Sequence, residues 1–300
     1  MQEIPEHVLV VTPHPEDAEI WCGGTVSKWV ASGADVHYLL CTDGDKGTDQ
    51  LDIPPELLAP TREQEQILAC SLLGVDDVIM LHHGDGELED TREFRKQIVR
   101  QIRRVQPQIV LCAEPYRRNL AWHRDHRIAG QVTLDAVFPY ARDHLHFEEL
   151  WKEEGLEPHK TATILFWGTE RADTYIDIED SLACKIKAVK AHETQVRRLT
   201  EAEVETFIKE EAEKAGKENG LKYAESFRRV NFRTYPLLGI PSIFIKCCHC
   251  HTASHLSRMV KRGLRETITH HGTSSMYRMT HVLSGNRYAT SRSLAYPMCN

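Results

Sequence analysis

Two short stretches of the 300-residue chain concentrate the residue types that bind metals and move protons: "PHPED" (13–17) holds His14, Glu16 and Asp17, and "HRDH" (123–126) holds His123, Asp125 and His126. Imidazole nitrogen and carboxylate oxygen are the mixed donors that zinc accepts, and iron(II), cobalt or manganese can use the same set. His14 and Asp17, three residues apart, can aim a nitrogen and an oxygen at one point. A further histidine from the second stretch would complete three ligands and leave a position for water, the catalytic rather than the structural arrangement. Each stretch alone has a plainer reading. Acids in a helix's first turn complement its dipole, Pro15 suits a first helical position, and a histidine pair three apart is often surface. Together the two stretches are the stronger signal.

The elements that would position them can be read from apolar patterning. "HVLVV" (7–11), "DVHYLLC" (35–41), "DVIML" (77–81), "QIVLCAE" (108–114) and "TATILFW" (161–167) are short apolar runs, as expected of buried strands. Helical spacing lies between them: 17–33, where Ala18, Trp21, Cys22, Thr25 and Trp29 form a stripe closed by Gly33, then 61–74, 92–106 and 126–141. Two further helical patterns cover 175–195 and 201–220, the second with a solvated acidic face, and 221–232 closes the organised part. Alternation of this kind predicts an α/β fold, a Rossmann-like parallel sheet with helices on both faces. Ligands of such sheets bind outside the carboxyl ends of the strands. There the first four strands deliver "PHPED", "TDGDKG" (42–47), "HHGDGEL" (82–88) and "PYRRNLAWHRDH" (115–126) to one rim. Charge gathered in a crevice is costly unless something offsets it, and a cation is the simplest offset.

Composition narrows the class. Apolar residues make up 41% and charged residues 27%, ordinary for a protein with a core. From Pro241 onward eight basic residues face Glu266 alone, a charge of +7. The total of −7 therefore leaves −14 for residues 1–240. An acidic body is a poor nucleic-acid binder. No apolar run approaches the roughly 18 residues of a membrane span, no basic-then-apolar leader pattern opens the chain, and a cytoplasmic location is expected. Nine cysteines, four of them inside apolar runs, do not form a secreted disulfide pattern. The expected division is a domain over 1–240 and a basic, His/Cys/Ser-rich tail of low order over 241–300. Within that tail "CCHCH" (247–251) lacks the ligand spacing of folded zinc modules, and an extension or a reading-frame artefact is expected there.

"PHPEDAEIWCGG" (13–24) resembles the signature of the LmbE/PIG-L family of zinc-dependent N-deacetylases, and "HRDH" resembles that family's second motif. "CTDGDKG" (41–47), "TREQEQILACSLLG" (61–74), "DIEDSLACKIKAVKAHETQ" (177–195) and "YAESFRR" (223–229) match in order, so the resemblance spans about residues 5–235. It implies hydrolysis of an N-acetyl group on an amino-sugar substrate and a homo-oligomer. His14, Asp17 and His126 would be the metal ligands, with Zn2+ the first choice of cofactor and Fe2+ admitted. Glu16 stands where the family usually has an aspartate base; His123 would stabilise the oxyanion and act as acid, with Asp125 orienting it. Arg62 and Asp85 resemble substrate-contacting residues. A metal lowers the pKa of bound water from about 15.7 to near 7, which is the nucleophile such chemistry needs. Glu16 is one methylene longer than aspartate, which puts the efficiency of the base in question.

Other readings stay open at this level. An amidase for a larger acyl group needs the same parts, and a non-catalytic sugar- or metal-binding protein could keep the fold. A nucleotide-binding protein is disfavoured, because Gly23–Gly24 lie inside a helix rather than in a glycine-rich turn, where close packing explains them. His192 either lines or backs the site or lies on the surface.

Overall fold

Val8, Leu9, Val10 and Val11 are wholly buried, and the strand that carries them, β1 (His7–Thr12), runs inside a seven-stranded sheet of order β3-β2-β1-β4-β5-β7-β6. The computed structural model describes residues 4–119, 121–217 and 219–232. Its first half alternates without exception: β1, α1 (Asp17–Ala31), β2 (Asp35–Thr42), α2 (Pro55–Leu73), β3 (Asp77–His83), α3 (Arg92–Val105), β4 (Ile109–Ala113), α4 (Arg124–Val137). The short α5 (Glu148–Lys152) leads to β5 (Thr163–Trp167). β1 pairs in parallel with β2 and β4, β2 with β3, and β4 with β5. Right-handed crossovers then dictate the layers. Connections that move from β1 out to β3 place α1 and α2 on one face, and those that move from β3 through β4 to β5 place α3 and α4 on the other. The parallel sheet with helices on both faces is therefore present over five strands.

The remainder departs from the helical pattern over 175–195. "TYID" forms an edge strand, β6 (Thr174–Asp177), before α6 (Leu182–Lys190) and the one-turn α7 (Glu193–Val196). Its residues alternate between buried and half-buried, the period of a strand, and a helical frame laid over the whole stretch hides that. After α8 (Glu201–Lys217), β7 (Ala224–Asn231) inserts between β5 and β6, antiparallel to both. Two helix boundaries also differ from expectation. α2 begins six residues early, with Pro55 at its first turn, and α4 runs 124–137 rather than 126–141, stopping before Pro139.

One large apolar core joins the sheet to both helical layers, and a satellite cluster of Ile178, Leu182, Ile186, Val189, Val204, Ile208 and Ala212 seats α6 on α8. No helix among the described residues is long and apolar enough to cross a membrane. The boundary expected at residue 240, the tail and "CCHCH" lie outside the described residues. For the site the decisive feature is the strand order. β1 and β4 are neighbours, and the chain leaves them in opposite directions. Such a switch point opens a crevice at the carboxyl ends of the two strands, and "PHPED" follows β1 while "HRDH" lies in the connection after β4.

Candidate active site

β1 ends at Thr12, and a four-residue turn leads to Asp17, the first residue of α1. The turn is fastened at each step. Thr42, at the end of β2, donates both its backbone N–H (3.0 Å) and its hydroxyl (2.9 Å) to the carbonyl of Pro13. The Thr12 hydroxyl donates to the His14 carbonyl (3.1 Å), and the His14 N–H donates to Asp17 Oδ2 (3.1 Å). Glu16 sits in the left-handed region at φ 76°, a conformation that costs a non-glycine residue on the order of 1–3 kcal/mol and recurs at functional sites. Arg62 of α2 holds that turn from beneath. Its guanidinium donates to the carbonyls of Gly44 (2.7 Å) and Pro15 (3.0 Å) and pairs with Glu16 Oε2.

His14 is the hub. Its Nδ1 lies 3.0 Å from Asp17 Oδ2, and its Nε2 lies 3.2 Å from both Asp85 Oδ1 and Asp125 Oδ2. Asp17 Oδ2 is also 3.0 Å from His126 Nε2, so one carboxylate oxygen faces two imidazole nitrogens. His14, Asp17, Asp125 and His126 are all buried. Asp125 is anchored by the N–H groups of Gly86 (2.6 Å) and Leu88 (3.3 Å) from the loop after β3. The His123 ring caps α4: its Nδ1 accepts the Asp125 N–H at 3.2 Å, which leaves Nε2 to carry the proton of the neutral ring. That side chain is 47% exposed, the open side of the group.

The electrostatics follow from this crowding. Burial opposes charging His14, but the hydrogen bonds with Asp125, Asp17 and Asp85 outweigh it and push the ring up to about 12. Burial alone would raise Asp17; His126 and His14 beside it hold its carboxyl well below the usual range. Burial pushes Glu16 up to about 7, against the pull of the Arg62 guanidinium and with the repulsion of Asp17. His123 is lowered by burial and by the charge on His14. Negative charge is thus in excess around His14, and the donor chemistry fits a divalent cation. His14, Asp17 and His126 each offer a ligand atom within 4.8 Å of the others, as do His14, Asp85, His123 and Asp125. Ligands at about 2.0–2.2 Å from a tetrahedral zinc stand roughly 3.3–3.6 Å apart, and the two 3.0 Å separations at Asp17 are a few tenths of an ångström short of that spacing.

Placement of α4 depends on a contact that only glycine permits. A Cβ on Gly130 would stand 2.2 Å from the Ala113 carbonyl oxygen at the end of β4. Gly130→Ala is therefore expected to push α4 off β4, cost about 2–3 kcal/mol in urea unfolding and displace Asp125 and His126. An alanine variant with unchanged stability would show that the contact is slack.

All eight residues named from the sequence converge on this crevice. Arg62 is 2% exposed, with its guanidinium directed at Gly44, Pro15 and Glu16, and Asp85 Oδ1 is turned toward His14. The Asp125 carboxylate stands 4.0 Å from His123 Nδ1, and the bond that orients the ring comes from the Asp125 backbone instead. His192 is wholly buried, which excludes a surface position; its Nε2 lies 3.3 Å from Glu19 Oε2. Sequence reasoning passed over Trp122. Its ring meets His126 edge-on at 4.5 Å and Trp21 at 6.0 Å, its Nε1 donates to the Glu114 carbonyl, and Arg117 lies 4.2 Å over its face. An aromatic residue directly before "HRDH" was the available signal.

With this geometry in hand, comparison with known proteins is informative. The family model described as PIG-L, GlcNAc-PI de-N-acetylase, matches residues 9–137, which span both motifs. The chain is 36% identical over 241 residues to a diacetylchitobiose deacetylase of Thermococcus kodakarensis, covering 80% of this chain and 85% of the relative. It is 28% identical to a 1D-myo-inositol 2-acetamido-2-deoxy-alpha-D-glucopyranoside deacetylase of Actinosynnema mirum, covering 64% of this chain and 81% of that one. Among solved structures, the N,N'-diacetylchitobiose deacetylase of Pyrococcus horikoshii, in complex with its inhibitor, superposes with a TM-score of 0.70 at 28% identity, over 84% of this chain and 89% of the other. These relatives are named deacetylases, which are hydrolases acting on amides. With matched residues that take in both motifs and a relative above 30% identity aligned over most of its length, the chain belongs to the PIG-L (LmbE) family.

Proposed function

We propose that the protein is a metal-dependent N-deacetylase that removes the acetyl group from an N-acetylglucosamine unit in a small conjugate, and that its catalytic unit lies within residues 1–240. The observation that carries this reading is the single Asp17 oxygen set 3.0 Å from nitrogens of His14 and His126, in a buried crevice with an excess of carboxylates. The two relatives above supply the substrate class. The substrates in their names share a 2-acetamido-2-deoxyglucose unit.

His14, Asp17 and His126 would hold the metal, with Zn2+ as first choice. With Nε2–H of His14 turned to Asp125 or Asp85, Nδ1 is left as the ligand atom and the outer carboxylate fixes the ring, as is common among metal-bound histidines. When bound there, the metal would supply Lewis acidity toward the acetyl carbonyl and toward water. Glu16 takes the proton of the attacking water. Its Oε2 is held by Arg62, while Oε1 has no hydrogen-bond partner among the described residues. As the carbonyl oxygen gains charge, His123 donates to it from Nε2–H, and the Asp125 N–H at Nδ1 keeps that tautomer in place. Collapse breaks the C–N bond, and Glu16 returns its proton to the leaving amine, giving acetate and the free amino sugar.

The test is acetate release from N,N'-diacetylchitobiose and from N-acetylglucosamine by zinc-loaded protein, before and after chelation. Removal of metal is expected to lower the rate by at least about 100-fold, with recovery on adding Zn2+ back. Acetate release that ignores the chelator, or none from any N-acetylglucosamine conjugate by loaded protein, would sink the reading.

A further inference from the structure

The opposite edge of the sheet carries a second set of metal-ligand atoms. His7 opens β1, Asp35 opens β2, and the two are direct partners in the parallel register. His37 lies two residues beyond Asp35 and therefore points to the same face. Asp77 opens β3 and is in register with His37. The pleat thus lines up four side chains across three adjacent strands, at their amino ends. β1 is six residues long, so this row lies about 20 Å from the crevice at the carboxyl ends.

Asp35 Oδ2 is 3.0 Å from His37 Nε2 and 3.4 Å from His7 Nδ1. Neither approach has hydrogen-bond geometry, whereas His37 Nδ1 and Asp77 Oδ2 form a hydrogen bond at 2.5 Å. Asp77 is in turn fixed by Arg104 at 2.7 Å. The His37 proton therefore belongs on Nδ1, and its Nε2 lone pair faces a carboxylate oxygen. Two acceptors at 3.0 Å repel unless a cation or a second proton lies between them. The spacing of 3.0–3.4 Å reaches the lower end of the roughly 3.3–3.6 Å separation of ligands around a tetrahedral zinc, so a small outward shift of the side chains would admit the ion. Asp77 supplies the outer carboxylate that orients a metal-bound histidine. The same relationship, one aspartate oxygen facing two imidazoles with a further carboxylate behind one ring, recurs at His14, Asp17 and His126.

We propose that His7, Asp35 and His37 form a second divalent-metal site, separate from the catalytic crevice. Its two nitrogens and one oxygen suit Zn2+, Ni2+ or Cu2+, with water completing the shell. His7 and Asp35 are about half exposed, so the ion enters from solvent, and it ties the first turns of β1 and β2 together. Binding to the folded state alone raises the melting temperature, by an amount that grows with the logarithm of free metal once its concentration exceeds Kd.

The experiment counts zinc per full-length chain after equilibrium dialysis and follows thermal unfolding with and without Zn2+. His7→Ala and Asp35→Asn are the variants, because both side chains are exposed and neither change threatens the core. Each is expected to hold one zinc fewer than the parent, to lose part of the zinc-dependent rise in melting temperature, and to release acetate at the parental rate. Combining His7→Ala with His14→Ala is expected to remove two ions. Counting by difference cancels any zinc held elsewhere in the chain. Unchanged zinc content and an unchanged thermal shift in His7→Ala and Asp35→Asn would overturn the site. So would a combined variant that loses no more than His14→Ala alone, which would mean that a proton on His37 satisfies Asp35.

Discussion

Glu16→Gln is expected to lower kcat for acetate release by about 10²–10⁴-fold while the protein keeps its metal. The substitution preserves shape and removes only the ability to take a proton. It leaves His14, Asp17 and His126 in place, and the glutamine carbonyl can still accept from Arg62. A mere loss of binding would raise KM, whereas a missing base lowers kcat, and zinc content measured on the same sample separates the two. Glu16→Asp is the sharper companion. The turn places this residue at φ 76° and Arg62 reaches exactly one of its oxygens, so the shorter carboxylate gives up the Arg62 contact. Its rate is expected to fall between parent and Gln variant, by something like a hundredfold for a displacement of about 1 Å. Retention of full activity by Glu16→Gln would remove Glu16 from the mechanism and leave His123 as the group that handles the proton.

How far the molecule can be read without coordinates depends on the kind of signal. β1, β2 and β4 are marked by runs such as "VLVV", because strands buried on both faces carry no polar alternation, β3 by a similar run although it is a partly buried edge strand, and the helices between them by apolar stripes. From there, the rule that ligands collect at carboxyl ends brings His14, Glu16, Asp17, His123, Asp125 and His126 together with no distance known. The strand order is not written locally. That β1 and β4 are neighbours, which puts both motifs over one crevice, follows from how the sheet packs between its two helical layers. β6 was hidden for a related reason: four edge residues embedded in a helical-looking stretch become a strand only because β7 is there to pair with them. Arg62 is the clearest case of a role that sequence cannot supply. An arginine on α2 reads equally well as surface, substrate contact or support. Only the carbonyls of Pro15 and Gly44, brought to it by two different strand ends, decide that it holds the turn beneath Glu16.

The largest effect on stability is expected far from the chemistry, at Glu225 of β7. Its carboxylate is 4% exposed as a residue and meets three donors: Lys185 Nζ at 2.6 Å, and the backbone N–H groups of Gly24 (2.9 Å) and Thr25 (2.7 Å) in the middle of α1. The Gly24 carbonyl accepts from the Ser181 hydroxyl at 2.7 Å. A Cβ on Gly24 would lie 2.8–2.9 Å from Ile178, so only glycine lets this neighbour approach. α1 is therefore pinned at its waist by three elements, and Asp17 stands at its first residue, two turns away. Glu225→Leu leaves a buried ammonium without its partner and removes the carboxylate that two N–H groups of α1 meet. Breaking a buried pair on one side costs about 3–5 kcal/mol, much more than the intact pair contributes over an apolar substitute. Urea unfolding at neutral pH should show that loss. Lys185→Met combined with Glu225→Leu should recover part of it, because the uncompensated charge is gone while the carboxylate contacts to α1 are still missing. A Glu225→Leu loss below about 1 kcal/mol would mean that Lys185 escapes to water, and that α1 is held by its apolar packing rather than by this carboxylate.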